Sequence, residues 1–168
     1  QKNKNEFKES FSSLIARHDR GGQRKIILDE MKNYGNILCP SIFSNNCNNI
    51  GKGNKAKIEF IKKSKYNICP ENSKFEGYHT EKIFHAFEGG TIPIYWGIEE
   101  PEKEILNKNK YCFIKYINDK NEVERKIKDV VENPEKYLEG DIFNENAYNI
   151  IGNYYNELTE EIKRLLLT

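Results

Sequence analysis

An α/β fold, with a mostly parallel sheet covered by helices on both faces, is what the sequence predicts, and three observations predict it. Short apolar runs bounded by turn residues recur along the chain, segments with apolar positions at helical spacing alternate with them, and no internal repeat breaks the alternation. Parallel strands need crossover connections, and helices in those crossovers cover both faces of the sheet. A length of 168 residues suits one such domain.

Taken in order, Lys2 to Glu9 is polar and reads as frayed or linker-like, so 1–10 is expected as a polar amino-terminal segment and 11–168 as the domain. Phe11 to Ala16 reads as a buried strand. Gly21-Gly22 breaks it, and Ile26, Ile27, Met31 and Tyr34 follow at helical spacing before Gly35 closes the helix. Ile37 to Cys39 is a short strand, and Pro40 to Asn54, rich in Asn, Ser and Gly, is a loop long enough to be functional. Ala56 to Ser64 is an amphipathic helix, and Tyr66 to Cys69 a strand stopped by Pro70. After a polar stretch, Thr80 is placed to N-cap a helix carrying Ile83, Phe84 and Phe87, ended by Gly89-Gly90. Thr91 to Tyr95 is a nearly all-apolar strand, and Pro101 suits the first turn of a helix through Ile105 and Leu106. Tyr111 to Tyr116 is strand-like, Glu122 to Val131 helical, Asn133-Pro134 a break, and Ile150 to Leu167 a closing helix.

Composition excludes several functions. Twenty-seven basic against twenty-six acidic side chains leave a net charge of +1, without the basic excess of a general nucleic-acid binder, although Lys52 to Lys65 is locally lysine-rich. No apolar run approaches the ~20 residues that span a bilayer, and no signal peptide is expected from the opening residues. Cys39, Cys47, Cys69 and Cys112 form no C-x-x-C pair and have no His at zinc-ligand spacing, so neither a metal site nor a disulfide framework is expected, and a reducing compartment fits. The expected location is the cytoplasm, or its face of a membrane where lipid-linked glycans are built. Gln1 in place of Met leaves room for a longer parent protein.

Ligands of such sheets bind at the carboxyl ends of the strands, which directs attention to Pro70 through Lys82. A helix starting near Thr80 offers unpaired backbone N–H groups and a positive dipole end to an anion. Lys82 in the first turn has the wrong sign for that dipole, a cost that a bound phosphate would offset. Glu81 can accept hydrogen bonds from vicinal sugar hydroxyls, and Tyr78 offers a ring face and a hydroxyl. Two readings stay open on the residues alone: a nucleotide-sugar site, or Glu81 and Lys82 as solvated first-turn side chains.

The run Tyr66-Asn67-Ile68-Cys69-Pro70-Glu71-Asn72-Ser73, then Gly77-Tyr78-His79-Thr80-Glu81-Lys82-Ile83, then Gly90-Thr91-Ile92-Pro93-Ile94-Tyr95-Trp96-Gly97, resembles the donor-site signature of the alpha-1,3/4-fucosyltransferases, glycosyltransferase family 10. More weakly, Ala16 to Lys25 resembles the family's stretch with a phosphate-contacting arginine ahead of a helix, where Arg24 falls, and Gly51 to Tyr66 resembles its Gly-x-x-Asn-Lys helix and strand. The likeness runs from about Phe11 to Gly97 with motifs and continues as a compatible helix-rich tail. Two positions depart from the pattern: Pro70 stands for the usual Phe and His79 for the usual Val.

The resemblance implies the Rossmann-like, donor-binding half of a GT-B type enzyme that takes fucose from GDP-fucose to a hydroxyl of a glycan or glycolipid with inversion. It implies that Arg24 and Lys82 neutralise the diphosphate, that Asn72, Tyr78 and Glu81 hold ribose or fucose hydroxyls near Thr80, and that Glu71 is a supporting or hydroxyl contact. His18 and His79 are weaker candidates at the rim, and His85 reads as packing or surface. No cofactor or protein-bound metal is implied. The acceptor domain and the general base are expected outside this chain, in a missing domain or partner. Two alternatives are a glycosyltransferase with another nucleotide-sugar donor and a non-catalytic donor-binding or assembly module.

Overall fold

The structure, a computed structural model, describes residues 8–167. Five strands, β1 (Ser10–Leu14), β2 (Ile37–Leu38), β3 (Ser64–Ile68), β4 (Ile92–Trp96) and β5 (Cys112–Ile114), form one sheet in the order β2-β1-β3-β4-β5. Every pair is parallel, with Ser12 opposite Ile37 and Tyr66, Ile68 opposite Ile94, and Trp96 opposite Ile114. The helices are α1 (Gln23–Met31), α2 (Asn54–Ile61), α3 (Lys82–Glu88), α4 (Lys120–Glu132), α5 (Glu135–Leu138) and α6 (Ala147–Leu166). Apart from Lys8, Glu9 and Ser10, which opens β1, the polar segment expected at the amino terminus lies outside the described residues.

Contacts pair α1 with α4 and α2 with α3, one pair on each face of the sheet. Under α1 and α4 lie Leu14, Ile27, Leu28, Met31, Tyr66, Ile94, Trp96, Ile114 and Ile127. Under α3 lie Cys69, Ile83, Ala86, Tyr95, Leu106 and Tyr111. Strand β4, Ile-Pro-Ile-Tyr-Trp, is buried throughout because it sends alternate side chains into these two cores. The central pair β1 and β3 is laced by polar groups: Ser10 and Ser64 share a hydroxyl contact of 2.7 Å, and the Asn67 amide donates to the Ser13 hydroxyl at 2.9 Å. Those contacts satisfy serines that the sheet interior would otherwise penalise.

Two elements differ from the sequence expectation. The helix expected at Pro101 is a series of turns in which Glu102 has a left-handed φ of 43°, and Leu106 instead bridges antiparallel to Phe143. Burying Leu106 against the α3 core outweighs the helical spacing of Ile105 and Leu106. The closing helix starts at Ala147, three residues before the expected Ile150, because Ala147 is buried and docks its first turn.

The chain leaves β1 through α1 to β2 on one side, then returns through α2 to β3 on the other side of β1. The carboxyl ends of β1 and β3 therefore face loops that diverge to opposite faces of the sheet, which is where a parallel α/β sheet opens a crevice.

Candidate donor-binding site

An open cleft of about 90 Å³ occupies that crevice. Leu14 and Ile15 from the end of β1, Ile68, Cys69 and Pro70 from the end of β3, and Ile61 of α2 form its walls, Arg24, Lys57, Glu81 and Lys82 supply its charge, and the His85 ring also lines it. Its polar groups are predominantly cationic.

Arg24 lies within the first turn of α1 rather than ahead of the helix, and only 4% of it is exposed. The Asp19 carboxylate accepts from the backbone N–H groups of Arg24 (3.1 Å) and Lys25 (2.8 Å), so the amino end of α1 already carries an anion. The Arg24 guanidinium reaches over the sheet and donates from Nη2 to Oδ1 of Asn72 at 2.5 Å, while Nη1 is buried without a partner among the described residues. Burial pulls its pKa below the ordinary arginine value, against the nearby charges of Asp19 and Glu71. A buried cation whose direct partner is a neutral amide is costly unless something else neutralises it.

Glu71 is fully buried at the start of the loop after β3. Its carboxylate accepts from the Thr80 N–H (2.9 Å), the Thr80 hydroxyl (2.7 Å), the Lys82 ammonium (2.8 Å) and the Tyr95 hydroxyl (3.2 Å). Burial first, and the Glu71 charge second, push the Tyr95 phenol well above its usual range and keep it a donor. The Gln23 amide donates to the Glu71 carbonyl at 3.1 Å, which ties α1 to the same loop. Glu71 thus holds Lys82 and Thr80 in place.

This network corrects two expectations. Thr80 does not cap α3: its hydroxyl is turned to Glu71, the cap position is Glu81 at φ −61°, and no side chain caps there. The cation in the first turn is offset from within the chain, by Glu71 2.8 Å away. Of the other expected residues Glu81 lines the cleft, whereas Asn72, Tyr78, His79 and His18 do not. Glu81 is exposed on the cleft, Asn72 is exposed and engaged by Arg24, and Tyr78 is half-buried in a turn closed by its N–H to the Phe75 carbonyl. His79 does not line the cleft; its Nδ1 lies 3.3 Å from Glu102, and Gly77 N–H donates to Glu99 at 2.9 Å. His18 is exposed in the turn after β1 and does not line the cleft. Lys57, His85, Gln23 and Tyr95 are additions that the sequence reading missed. His85 could have been found from its spacing, since it lies three residues after Lys82 on the same helical face. Among the described residues no cluster of three His, Cys, Asp or Glu side chains is arranged to hold a metal.

A five-stranded parallel sheet in this order, with a cationic cleft at its switch point, defines a doubly wound, Rossmann-like α/β domain. Residues 2–150 match the model of the glycosyltransferase family 10 (fucosyltransferase) carboxyl-terminal domain, and the chain belongs to that family. It is 32% identical over 103 residues to the alpha-(1,3)-fucosyltransferase FucT of Helicobacter pylori, a match covering 61% of this chain and 21% of that protein. A crystal structure of an alpha1,3-fucosyltransferase with GDP-fucose superimposes with a TM-score of 0.63 at 26% identity, over 78% of this chain and 38% of that one. A structure of an alpha1,3-fucosyltransferase with GDP gives the same TM-score and identity. The chain therefore spans about a fifth of this curated relative and under two fifths of the solved enzymes.

Proposed function

We propose that this chain is the donor-binding half of a fucosyltransferase and that GDP-fucose occupies the cleft between β1 and β3. The observation that carries the reading is Arg24: a buried guanidinium whose Nη1 has no partner among the described residues, lining a cleft that also presents Lys82. A diphosphate supplies the missing acceptor and the missing negative charge together.

In the proposed reaction an acceptor hydroxyl of a glycan or glycolipid attacks the anomeric carbon of fucose from the face opposite the phosphate. The new C–O bond forms as the bond to the phosphate oxygen breaks, GDP leaves with the electron pair, and the hydroxyl proton passes to a base outside this chain. Charge grows on the leaving diphosphate, where Arg24 and Lys82 are already fixed, Lys82 by Glu71 and Thr80. Glu81, Tyr78 and Asn72 are assigned to ribose or fucose hydroxyls. His79, engaged by Glu102, is assigned to holding the loop rather than to the donor. The acceptor-binding part belongs to the remaining length of the parent protein or to a partner, so the isolated chain binds donor and transfers poorly. Work at the cytoplasmic face of a membrane fits this reading.

Calorimetric titration of the chain with GDP, and with UDP for comparison, tests the proposal. Arg24→Met is expected to weaken GDP by about 10- to 100-fold, the range of a charge-assisted hydrogen bond, while leaving the melting temperature unchanged or higher, since it removes a buried cation. Absence of GDP binding by the folded chain, or equal affinity in the variant, would overturn it. Equal binding of UDP would point to another nucleotide-sugar donor.

A further inference from the structure

A second cavity, separate from the donor cleft, lies at the amino end of β5, the edge strand of the sheet. It is an open groove of about 730 Å³ between residues 107–113, the second half of α4 and the turn at Glu139-Gly140. It shares no lining residue with the donor cleft, which opens at the carboxyl ends of β1 and β3. Its volume falls within the ~300–1,000 Å³ of small-ligand sites. The walls are braced from inside the chain. The ammonium of Lys110, a residue only 6% exposed, donates to the carbonyls of Glu139 (3.0 Å) and Gly140 (3.1 Å), and the Asn107 side-chain amide donates to the Asp141 carbonyl at 3.1 Å. On the α4 side the Tyr137 hydroxyl and the Lys136 ammonium donate to Asp129 at 3.0 Å and 3.2 Å, which ties α5 to α4. Tyr111, 2% exposed, lines the groove, and its hydroxyl is buried without a hydrogen-bond partner among the described residues. Burial first, and the charge of Glu100 second, raise the phenol above its usual range and keep it a donor. The half-buried Lys126 likewise has no ion pair among the described residues. An unpartnered buried hydroxyl is costly, and a ligand that accepts from it recovers that cost.

We propose that this groove binds an uncharged oligosaccharide, a stretch of the acceptor's glycan away from the hydroxyl that reacts. Three cations in the lining, Lys108, Lys126 and Lys136, are balanced by three anions, Glu100, Asp129 and Glu139, so the groove selects neither a phosphate-bearing nor a cationic ligand. Sugar hydroxyls donate and accept at once, and the groove presents both kinds of group: ammonium and phenol donors beside carboxylate acceptors. Tyr111, Phe113 and Tyr137 add ring surface for the apolar patches of sugar rings. An extended peptide is suited less well, because β5, with three residues, is a short ladder for strand addition. A glycan held here stays tethered while its reacting end samples the donor cleft, which raises the effective concentration of that end. Assigning the sugar to the acceptor rests on the fucosyltransferase reading, whereas the binding chemistry of the groove does not.

An array of neutral and acidic oligosaccharides, probed without nucleotide by the fluorescently labelled 168-residue chain, tests the groove, with Tyr111→Phe and Lys126→Gln as variants. The native chain is expected to retain neutral oligosaccharides, and each variant to bind them about tenfold more weakly, the loss of one well-placed hydrogen bond. Tyr111→Phe removes a buried hydroxyl that has no partner among the described residues, so its melting temperature is expected to be unchanged or higher. GDP affinity is expected to be unchanged in both variants, since neither residue lines the donor cleft. No neutral oligosaccharide retained by the folded chain, or undiminished binding by either variant, overturns the proposal. Retention confined to acidic glycans would make the groove an anion site, and retention that needs GDP would place the glycan at the donor cleft; either result overturns it as well. Neutral glycan bound by a chain that fails to bind GDP would support the groove and refute the donor-cleft reading instead.

Discussion

The Glu71–Lys82 pair can be broken from either side, and the structure predicts that the two sides are unequal. Lys82→Met removes the one cation among the described residues in contact with a carboxylate that is fully buried, leaving it with Thr80 and the Tyr95 hydroxyl as neutral donors. Removing one partner of a buried pair costs ~3–5 kcal/mol, and the 24% exposure of the Lys82 side chain lets water relieve part of this, so a loss of about 2–3 kcal/mol is expected. Glu71→Gln keeps the shape, and the freed ammonium can turn toward solvent, so about 1–2 kcal/mol is expected from the lost charged hydrogen bonds. The double variant is therefore less destabilised than the sum of the two, by roughly 1–2 kcal/mol of coupling. Urea titration followed by circular dichroism reads this directly: at a slope of about 2 kcal/mol/M, Lys82→Met moves the midpoint down by about 1–1.5 M and Glu71→Gln by about half as much. A Lys82→Met midpoint within ~0.2 M of the parent, or strictly additive single effects, would refute the reasoning, because either result means that Glu71 does not depend on Lys82.

Three further outcomes are expected. A Cβ at Gly89 would sit 2.4 Å from Cγ2 of Ile61, so Gly89→Ala pries α3 from α2 and should cost about 1–3 kcal/mol in the same urea titration, with GDP affinity reduced because both helices line the cleft. Burial pushes the Cys39 thiol up to about 11 and the Cys112 thiol to about 12, whereas Cys47 is only partly buried. Thiol labelling at neutral pH should therefore modify Cys47 in the native chain and all four cysteines after unfolding. These raised values also fix a sign: the unfolded thiols ionise near their ordinary value of 9.0 while the folded ones stay protonated, so the thiols' contribution to stability is constant below that pH and falls as pH rises from about 9 toward 11. A flat alkaline stability profile would contradict this.

What the sequence determined by itself was local. Strands and helices follow from periods of two and 3.6 residues and from glycine and proline punctuation, and these placed β1, β3, β4, α2 and α4 close to where they lie. The loop from Glu71 to Lys82 was legible as the chemical centre because its residue types, read together, resemble one family. The tertiary structure decided how those residues divide the work. That Glu71 is buried and serves Lys82, Thr80 and Tyr95 depends on contacts between residues 9, 11 and 24 apart, which no local period encodes. The Arg24–Asn72 contact spans 48 residues and exists only because β3 is laid beside β1. The turns at Pro101 and the early start of α6 were likewise settled by burial of Leu106 and Ala147 against surfaces made by distant segments. Propensity and spacing act over one or two turns at a fraction of a kcal/mol per residue, whereas burying a side chain or pairing a charge is worth ~1–3 kcal/mol and depends on which parts of the chain have met.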